Sequence, residues 1–304
     1  MESTNSNNEV AHEFRFFKAY TDGRVEIFYN TQKVPPSTDS ITGVQSKDVI
    51  ISSEPAVSAR IFLPNIHDPT QKLPVLFYIH GGGFCFESAL SPIFHKHLTS
   101  LAAEANAIAV SVEYGLFPDR PISACYDDAW AALKWVQSHS TRSGPDPWMN
   151  QYADFDRVFL CGDSGGANMC NNLAVRVGSV GLPGVKVAGM VMVHPFFGGL
   201  AVDDKMWLYM CPENGGVQDR RLRPPAEDLA KLGCERVLIF FAEKDHLREV
   251  GQWYCDELKK SEWGGTVEVV EHEDEFHEFH LLSEPEGEKA LDLIKRFSSF
   301  INQN

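Results

Sequence analysis

What this 304-residue sequence lacks narrows it first. No apolar run approaches the roughly 18 residues of a membrane-spanning helix; one of the longest is only Val187 to Val193. The opening stretch, MESTNSNNEVAHEF, has none of the basic-then-apolar pattern of a secretory signal. There is no Asn-x-Ser/Thr acceptor and no Cys-x-x-Cys pair, and the seven cysteines are an odd, scattered set. A disulfide-framed secreted fold is thereby disfavoured, and a cytoplasmic protein with free thiols is expected. Cations are scarce too: 27 Lys and Arg against 42 Asp and Glu leave a net charge of −15. No window gathers the basic cluster that a phosphate-tracking surface requires, so neither nucleic acid nor an anionic membrane is an expected partner. Internal repeats and low-complexity tracts are absent as well.

What is present is a composition of 43% hydrophobic and 23% charged residues, enough to bury a full core. One globular domain spanning 1–304 is expected, since α/β enzymes of this length often fold as a single unit. Phe14 to Lys33 mixes charged and aromatic residues around an Asp22-Gly23 turn. Val49 to Ile51 and Val57 to Leu63 alternate apolar with polar residues and predict antiparallel edge strands. The continuous run Val75 to Ile79 predicts a strand buried on both faces. A helix over His97 to Asn106 and a strand over Ile108 to Val112 follow. Asp127 and Asp128 are suited to the start of a helix carrying Trp130, Leu133 and Val136, which ends near Gly144-Pro145.

The alternation then repeats. Strand Arg157 to Cys161 precedes a helix with Cys170, Leu173, Ala174 and Val177 on one face, and strand Val187 to Val193 comes next. Strand Val237 to Phe241, a helix through Val250 to Leu258, strand Val267 to Val270 and a final helix marked by Ala290, Ile294, Phe297 and Ile301 complete the chain. Strands alternating with helices predict a mostly parallel sheet covered on both sides. Phe196 to Arg236 breaks the pattern with about 40 residues of weak periodicity, a length typical of functional lids.

Chemistry is concentrated at Gly162-Asp163-Ser164-Gly165-Gly166, a G-x-S-x-G pentapeptide between a predicted strand and a predicted helix. Presenting a serine on so tight a turn requires glycine at both flanks, and the helix N-terminus adds positive partial charge beside it. Upstream, His80-Gly81-Gly82-Gly83-Phe84 follows another strand, and its consecutive glycines expose amide N–H groups. Such donors stabilise the oxyanion that develops during acyl transfer. Gly82, Gly83 and Gly165 are the candidate donors. A phosphate-cradling loop is the alternative, but no Gly-Lys-Ser/Thr follows.

HGGGF followed by GDSGG at this separation resembles the plant carboxylesterase branch, related to hormone-sensitive lipase, of the α/β-hydrolase fold. Pro118, Tyr126-Asp127-Asp128, Tyr152-Ala153-Asp154-Phe155 and Ala242-Glu243-Lys244-Asp245 carry the likeness further along the chain. The resemblance implies an eight-stranded sheet, a cap built from the N-terminal segment (1–45) and an insertion (196–236), and no metal or organic cofactor. Two departures stand out. Relatives usually read Tyr-Arg-Leu-Ala-Pro-Glu where this chain reads Tyr114-Gly115-Leu116-Phe117-Pro118-Asp119, so an arginine contact is missing, and the insertion is short.

A serine needs a base and a group to orient that base, in the chain order Ser, Asp, His on this fold. Asp245, just past a predicted strand, fits the acid; Glu243 and Asp256 are its rivals. Three histidines, His272, His277 and His280, lie in the last loop, and the family's H-x-F-H-L pattern places the base at His277, with His280 supporting or packing. Zinc is the competing account of these histidines, but the H-E-x-x-H spacing is absent. The acidic residues of that loop are expected to form a solvated rim. His80 is expected to brace the glycine loop and His194 to be a satisfied core histidine. Cys161 and Cys170 are expected to be inert, and Trp207 and Tyr209 to touch substrate or pack the lid.

The expectation is a serine carboxylesterase with Ser164, Asp245 and His277 as its triad, acting on a small-molecule ester or plant specialised metabolite as a monomer or homodimer. The resemblance also implies two alternatives. One is an enzyme like 2-hydroxyisoflavanone dehydratase or an alkaloid cyclase, using the same pocket for proton transfer. The other is a binding protein like the gibberellin receptors, which have replaced the catalytic histidine.

Overall fold

A computed structural model describes residues 9–200, 204–282 and 287–303. Three short strands, β1 (Val10–Glu13), β2 (Phe17–Tyr20) and β3 (Val25–Ile27), pair antiparallel in a small sheet of their own. The main sheet is built from β4 (Gln45–Ser53), β5 (Ala56–Leu63), β6 (Leu73–Ile79), β7 (Ile108–Glu113), β8 (Ala153–Asp163), β9 (Val187–Val193), β10 (Arg236–Ala242) and β11 (Thr266–His272). Their spatial order is β11-β10-β9-β8-β6-β7-β5-β4, parallel from β11 to β7 and antiparallel for β5 and β4.

Helices α1 (Pro92–Ala105), α2 (Ile122–Ser138), α3 (Pro147–Tyr152), α4 (Ser164–Val180), α5 (Lys205–Met210), α6 (Ala226–Leu229) and α7 (Arg248–Lys260) lie between the parallel strands, and α8 (Phe279–Leu282) and α9 (Glu288–Asn302) follow the last of them. Because side chains alternate along a strand, Val75, Phe77 and Ile79 of β6 enter one apolar layer and Leu76 and Tyr78 the other. The first layer packs against Leu133 of α2, Leu173 of α4 and Tyr254 of α7. Leu98 of α1 and Phe297 of α9 pack in the second. Both faces of the sheet are thus covered, which explains why β6 is buried at every position.

Chain direction then fixes the site. The segments leaving β6, β8, β10 and β11 all emerge at the carboxyl edge of parallel strands, and β8 lies between β6 and β9. That edge is where open α/β sheets gather their reactive groups.

Several expectations need correction. Of the two antiparallel strands only β4 lies at an edge; β5 is internal, paired with both β4 and β7. Helix α1 begins at Pro92, not near His97, and α2 at Ile122. Asp127 and Asp128 therefore lie inside α2, and neither caps it. Buried Asp128 instead accepts hydrogen bonds from the Gly115 N–H (3.0 Å) and the Arg120 guanidinium (2.9 Å). Arg120 thereby supplies, five residues on, an arginine contact that position 115 lacks. A short helix, α3, follows Gly144-Pro145; Asp146 caps it by accepting the Trp148 and Met149 N–H groups. The 196–236 insertion carries two short helices, α5 and α6, where its weak periodicity predicts none, and part of it (201–203) lies outside the described residues.

Candidate active site

Ser164 is the first residue of α4, with φ of +50°, a left-handed conformation uncommon for a residue with a side chain. The sharp reversal from strand to helix leaves its hydroxyl at the sheet edge. Helix and strand approach so closely that a Cβ on Gly166 would lie 2.0 Å from the Ile79 carbonyl oxygen. The glycine two residues after the serine is thus a packing requirement.

The glycine loop folds over the serine. Gly82 adopts φ of +101°, and a Cβ there would meet the Phe86 carbonyl oxygen at 2.1 Å. That carbonyl belongs to a turn in which the Gly82 oxygen accepts the Cys85 and Phe86 N–H groups (3.1 and 3.0 Å). No acceptor among the described residues takes the Gly82 or Gly83 amide. The Gly165 N–H belongs to the first turn of α4, whose amides have no partner within the helix. Gly83, Ser164 and Gly165 line one cavity together, and Gly82, Gly83 and Ser164 line another. Asp163 staples the loop to the serine turn, accepting the Gly81 N–H (2.9 Å) and the Tyr78 hydroxyl (2.8 Å). His80 braces the same loop: its Nδ1 donates to the Gly81 carbonyl (2.7 Å) and its ring stacks on Tyr114.

His277 lies in the loop after β11, with Nε2 3.1 Å from Ser164 Oγ and Nδ1 2.9 Å from Asp245 Oδ2. Asp245, past β10, is buried; its Oδ1 accepts the Leu247 N–H (2.8 Å) and lies 3.2 Å from His246 Nδ1. Burial alone would raise this carboxyl, but hydrogen bonds from His246 and His277 outweigh it and hold Asp245 well below the usual carboxylate range. An ionised Asp245 accepts only, so the His277 proton resides on Nδ1 and the Nε2 lone pair faces the serine hydroxyl.

The rival residues are engaged elsewhere. Glu243 accepts the Asp274 N–H (2.7 Å), Asp256 is exposed beside Gln252, and His272 pairs with Asp292 (3.2 Å). His280 packs against His97 and His194. All seven cysteines are free and buried; burial raises Cys161 and Cys170 well above an ordinary thiol and pushes Cys85, Cys125 and Cys234 up to about 12. They are thiols rather than thiolates. Trp207 is buried against Phe84 and Phe196, while Tyr209 meets Phe14 and Phe17, so both pack the lid and neither lines a cavity beside Ser164.

Two expectations fail here. His194 is only half satisfied: Nδ1 accepts the Glu278 N–H (3.0 Å), but buried Nε2 has no partner among the described residues. Nor is the acidic loop wholly a solvated rim. Glu273 and Asp274 are exposed, whereas the Glu278 side chain is turned inward and only 12% exposed.

The two cavities beside Ser164 have volumes of about 300 and 200 Å³. Phe16, Tyr29, Phe86 and Phe94 wall the larger; Phe84, Phe196, Met206 and Leu247 wall the smaller. Arg15 borders both and donates from its guanidinium to His246 Nε2 (2.6 Å), extending the hydrogen-bonded series Asp245, His277, Ser164 to the N-terminal segment. Arg15, Phe16, Met206, His246 and Glu278 were not foreseen. His246 had one signal, adjacency to Asp245; Arg15 had none, because its partner is 231 residues away. Among the described residues, two side-chain groups bring possible metal donors within 4.8 Å: His194, His277 and Glu278, and Asp245, His246 and His277. Each needs His277, whose nitrogens already face Asp245 and Ser164, so we read neither as a metal centre.

A sequence profile described as the α/β-hydrolase fold matches residues 76–281. Among individual proteins, the chain is 41% identical to a 2-hydroxyisoflavanone dehydratase of Glycyrrhiza echinata, with 98% of each chain covered. It is 40% identical to probable carboxylesterase 1 of Arabidopsis thaliana, covering 94% of this chain and 95% of that one. Among solved structures it is similar to EstE1, a thermostable carboxylesterase cloned from a metagenomic library, with a TM-score of 0.69 and 26% identity over 86% of this chain and 90% of the other. Among the described residues, no helix is long and apolar enough to cross a membrane.

Proposed function

Since the chain belongs to the plant carboxylesterase family of the α/β-hydrolase fold and is a carboxylic ester hydrolase, we propose that it cleaves small esters through an acyl-enzyme on Ser164. The reading rests on one observation: a single imidazole, that of His277, lies within hydrogen-bond reach of both Ser164 Oγ (3.1 Å) and Asp245 Oδ2 (2.9 Å).

In this mechanism His277 Nε2 takes the serine proton as Oγ attacks the acyl carbon. Asp245 holds the Nδ1 proton and offsets the imidazolium charge. The carbonyl oxygen, now an oxyanion, is met by the amides of Gly82, Gly83 and Gly165. His277 gives its proton to the leaving alcohol, water replaces the alcohol, and the same steps release the acid and restore the serine. The aromatic cavities of about 300 and 200 Å³ favour small, apolar or aromatic groups on either side of the ester. Buried free thiols favour a reducing, cytoplasmic setting.

A second reading has a specific support, since one close relative bears the name 2-hydroxyisoflavanone dehydratase. In that case the base and the oxyanion donors serve elimination of water. The test is a panel of p-nitrophenyl esters of graded acyl length, run beside 2-hydroxyisoflavanones with product analysis. The esterase reading predicts hydrolysis that falls about tenfold or more once the acyl chain outgrows its cavity. Loss of water from the isoflavanones with no ester turnover would replace it by the second.

A further inference from the structure

Glu278 directly follows His277 and stands outside the steps above. Its backbone is left-handed, with φ of +59°, and its N–H is fixed on His194 Nδ1 (3.0 Å). This turn directs the side chain inward. Oε1 comes within 3.6 Å of His277 Nε2 and 3.7 Å of His194 Nδ1, and Oε2 within 3.8 Å of His280 Nε2. Both oxygens are buried and take no hydrogen bond from the three histidines; their hydrogen-bond neighbour is a second carboxyl, that of Asp163. A buried carboxyl paired only with another carboxyl, beside the nitrogen of the candidate base, is costly to keep, so its retention there calls for a role.

We propose that Glu278 is a positioning residue of this hydrolase, whose carboxyl group, buried against Asp163 and beside Nε2, sets the protonation state of the His277 imidazole. This inference rests on the assignment of His277 as the base. The groups facing Glu278 come from every neighbouring element: Asp163 from β8, bonded to Tyr78 of β6; His194 beyond β9; Asp245 beyond β10; His280, in turn against His97 of α1; and Glu87 across the larger cavity. Asp163 and Glu278 occupy one buried region where both cannot ionise cheaply. Burial, reinforced by Asp245, pushes Glu278 up to about 7, and burial together with Glu278 raises Asp163. When Glu278 is ionised, its charge near Nε2 holds a proton on the imidazole and withholds the base from Ser164.

The experiment compares the pH profile of kcat/KM for wild type, Glu278→Gln and Glu278→Asp, each per active site titrated with a phosphonate and scaled to its own plateau. Because Glu278 is charged only above about pH 7, the difference is expected in the upper part of the acid limb, and Glu278→Gln is expected to reach its plateau about half a pH unit or more below wild type. Glu278→Asp, which withdraws the carboxyl by one methylene, is expected to fall between the two. A packing role alone would lower the plateau and leave the limb in place; an unmoved limb in the variants overturns the proposal. If Glu278→Gln does not fold by circular dichroism, the limb of Glu278→Asp decides the question. Absence of ester turnover in the wild type would instead defeat the parent assignment, so the two failures are distinguishable.

Discussion

Ser164→Ala is expected to lower kcat for a p-nitrophenyl ester by about 10⁴-fold or more, with KM changed by less than about threefold. The substitution removes one oxygen atom and leaves the cavity walls and the Gly82 and Gly83 amides in place. Binding therefore persists while the covalent route is closed. Residual turnover would come from water attacking an ester whose carbonyl is already polarised by those amides. Steady-state kinetics on protein verified by circular dichroism checks this. A variant retaining more than about a tenth of wild-type kcat would mean that Ser164 is not the nucleophile.

Asp245→Asn is expected to cost a comparable factor, about 10⁴ in kcat, with the fold intact. The amide still offers an oxygen to the Leu247 N–H and His246 Nδ1, which now meet Oδ1. Its NH₂ group, however, takes the place of Oδ2 and donates where the carboxylate accepted. His277 must then accept at Nδ1 and carry its proton on Nε2, facing a hydroxyl that it can no longer deprotonate. The loss is in orientation and tautomer, so KM should move little. Wild-type-like turnover in this variant would return the acid role to a different carboxylate.

How much of this was legible in the sequence depends on how local each signal is. The GDSGG turn could be read because the buried run of β8 and the helical face of α4 bracket it directly. Asp245 could be read because it follows a buried strand. His277 was singled out from three histidines by family pattern; spacing alone left the choice open. Glu278 was misread because a charge run looks solvated, and only the left-handed turn at 278 sends this one side chain inward. The edge position of β5 was misjudged because alternation reports half-burial of a strand and says nothing of what pairs with it. The α3 cap, Asp146 before Pro147, was a readable start signal overshadowed by the Gly144-Pro145 stop beside it. The contact of Arg15 with His246 joins positions 231 residues apart, and no local pattern encodes it.

Peptide mapping by mass spectrometry after treatment with a p-nitrophenyl alkyl phosphonate tests the nucleophile most directly. The account predicts a single phosphonyl group per chain on the peptide holding Ser164, absent from Ser164→Ala and formed far more slowly in His277→Gln. Label on another residue, or full inhibition with Ser164 unmodified, would contradict it.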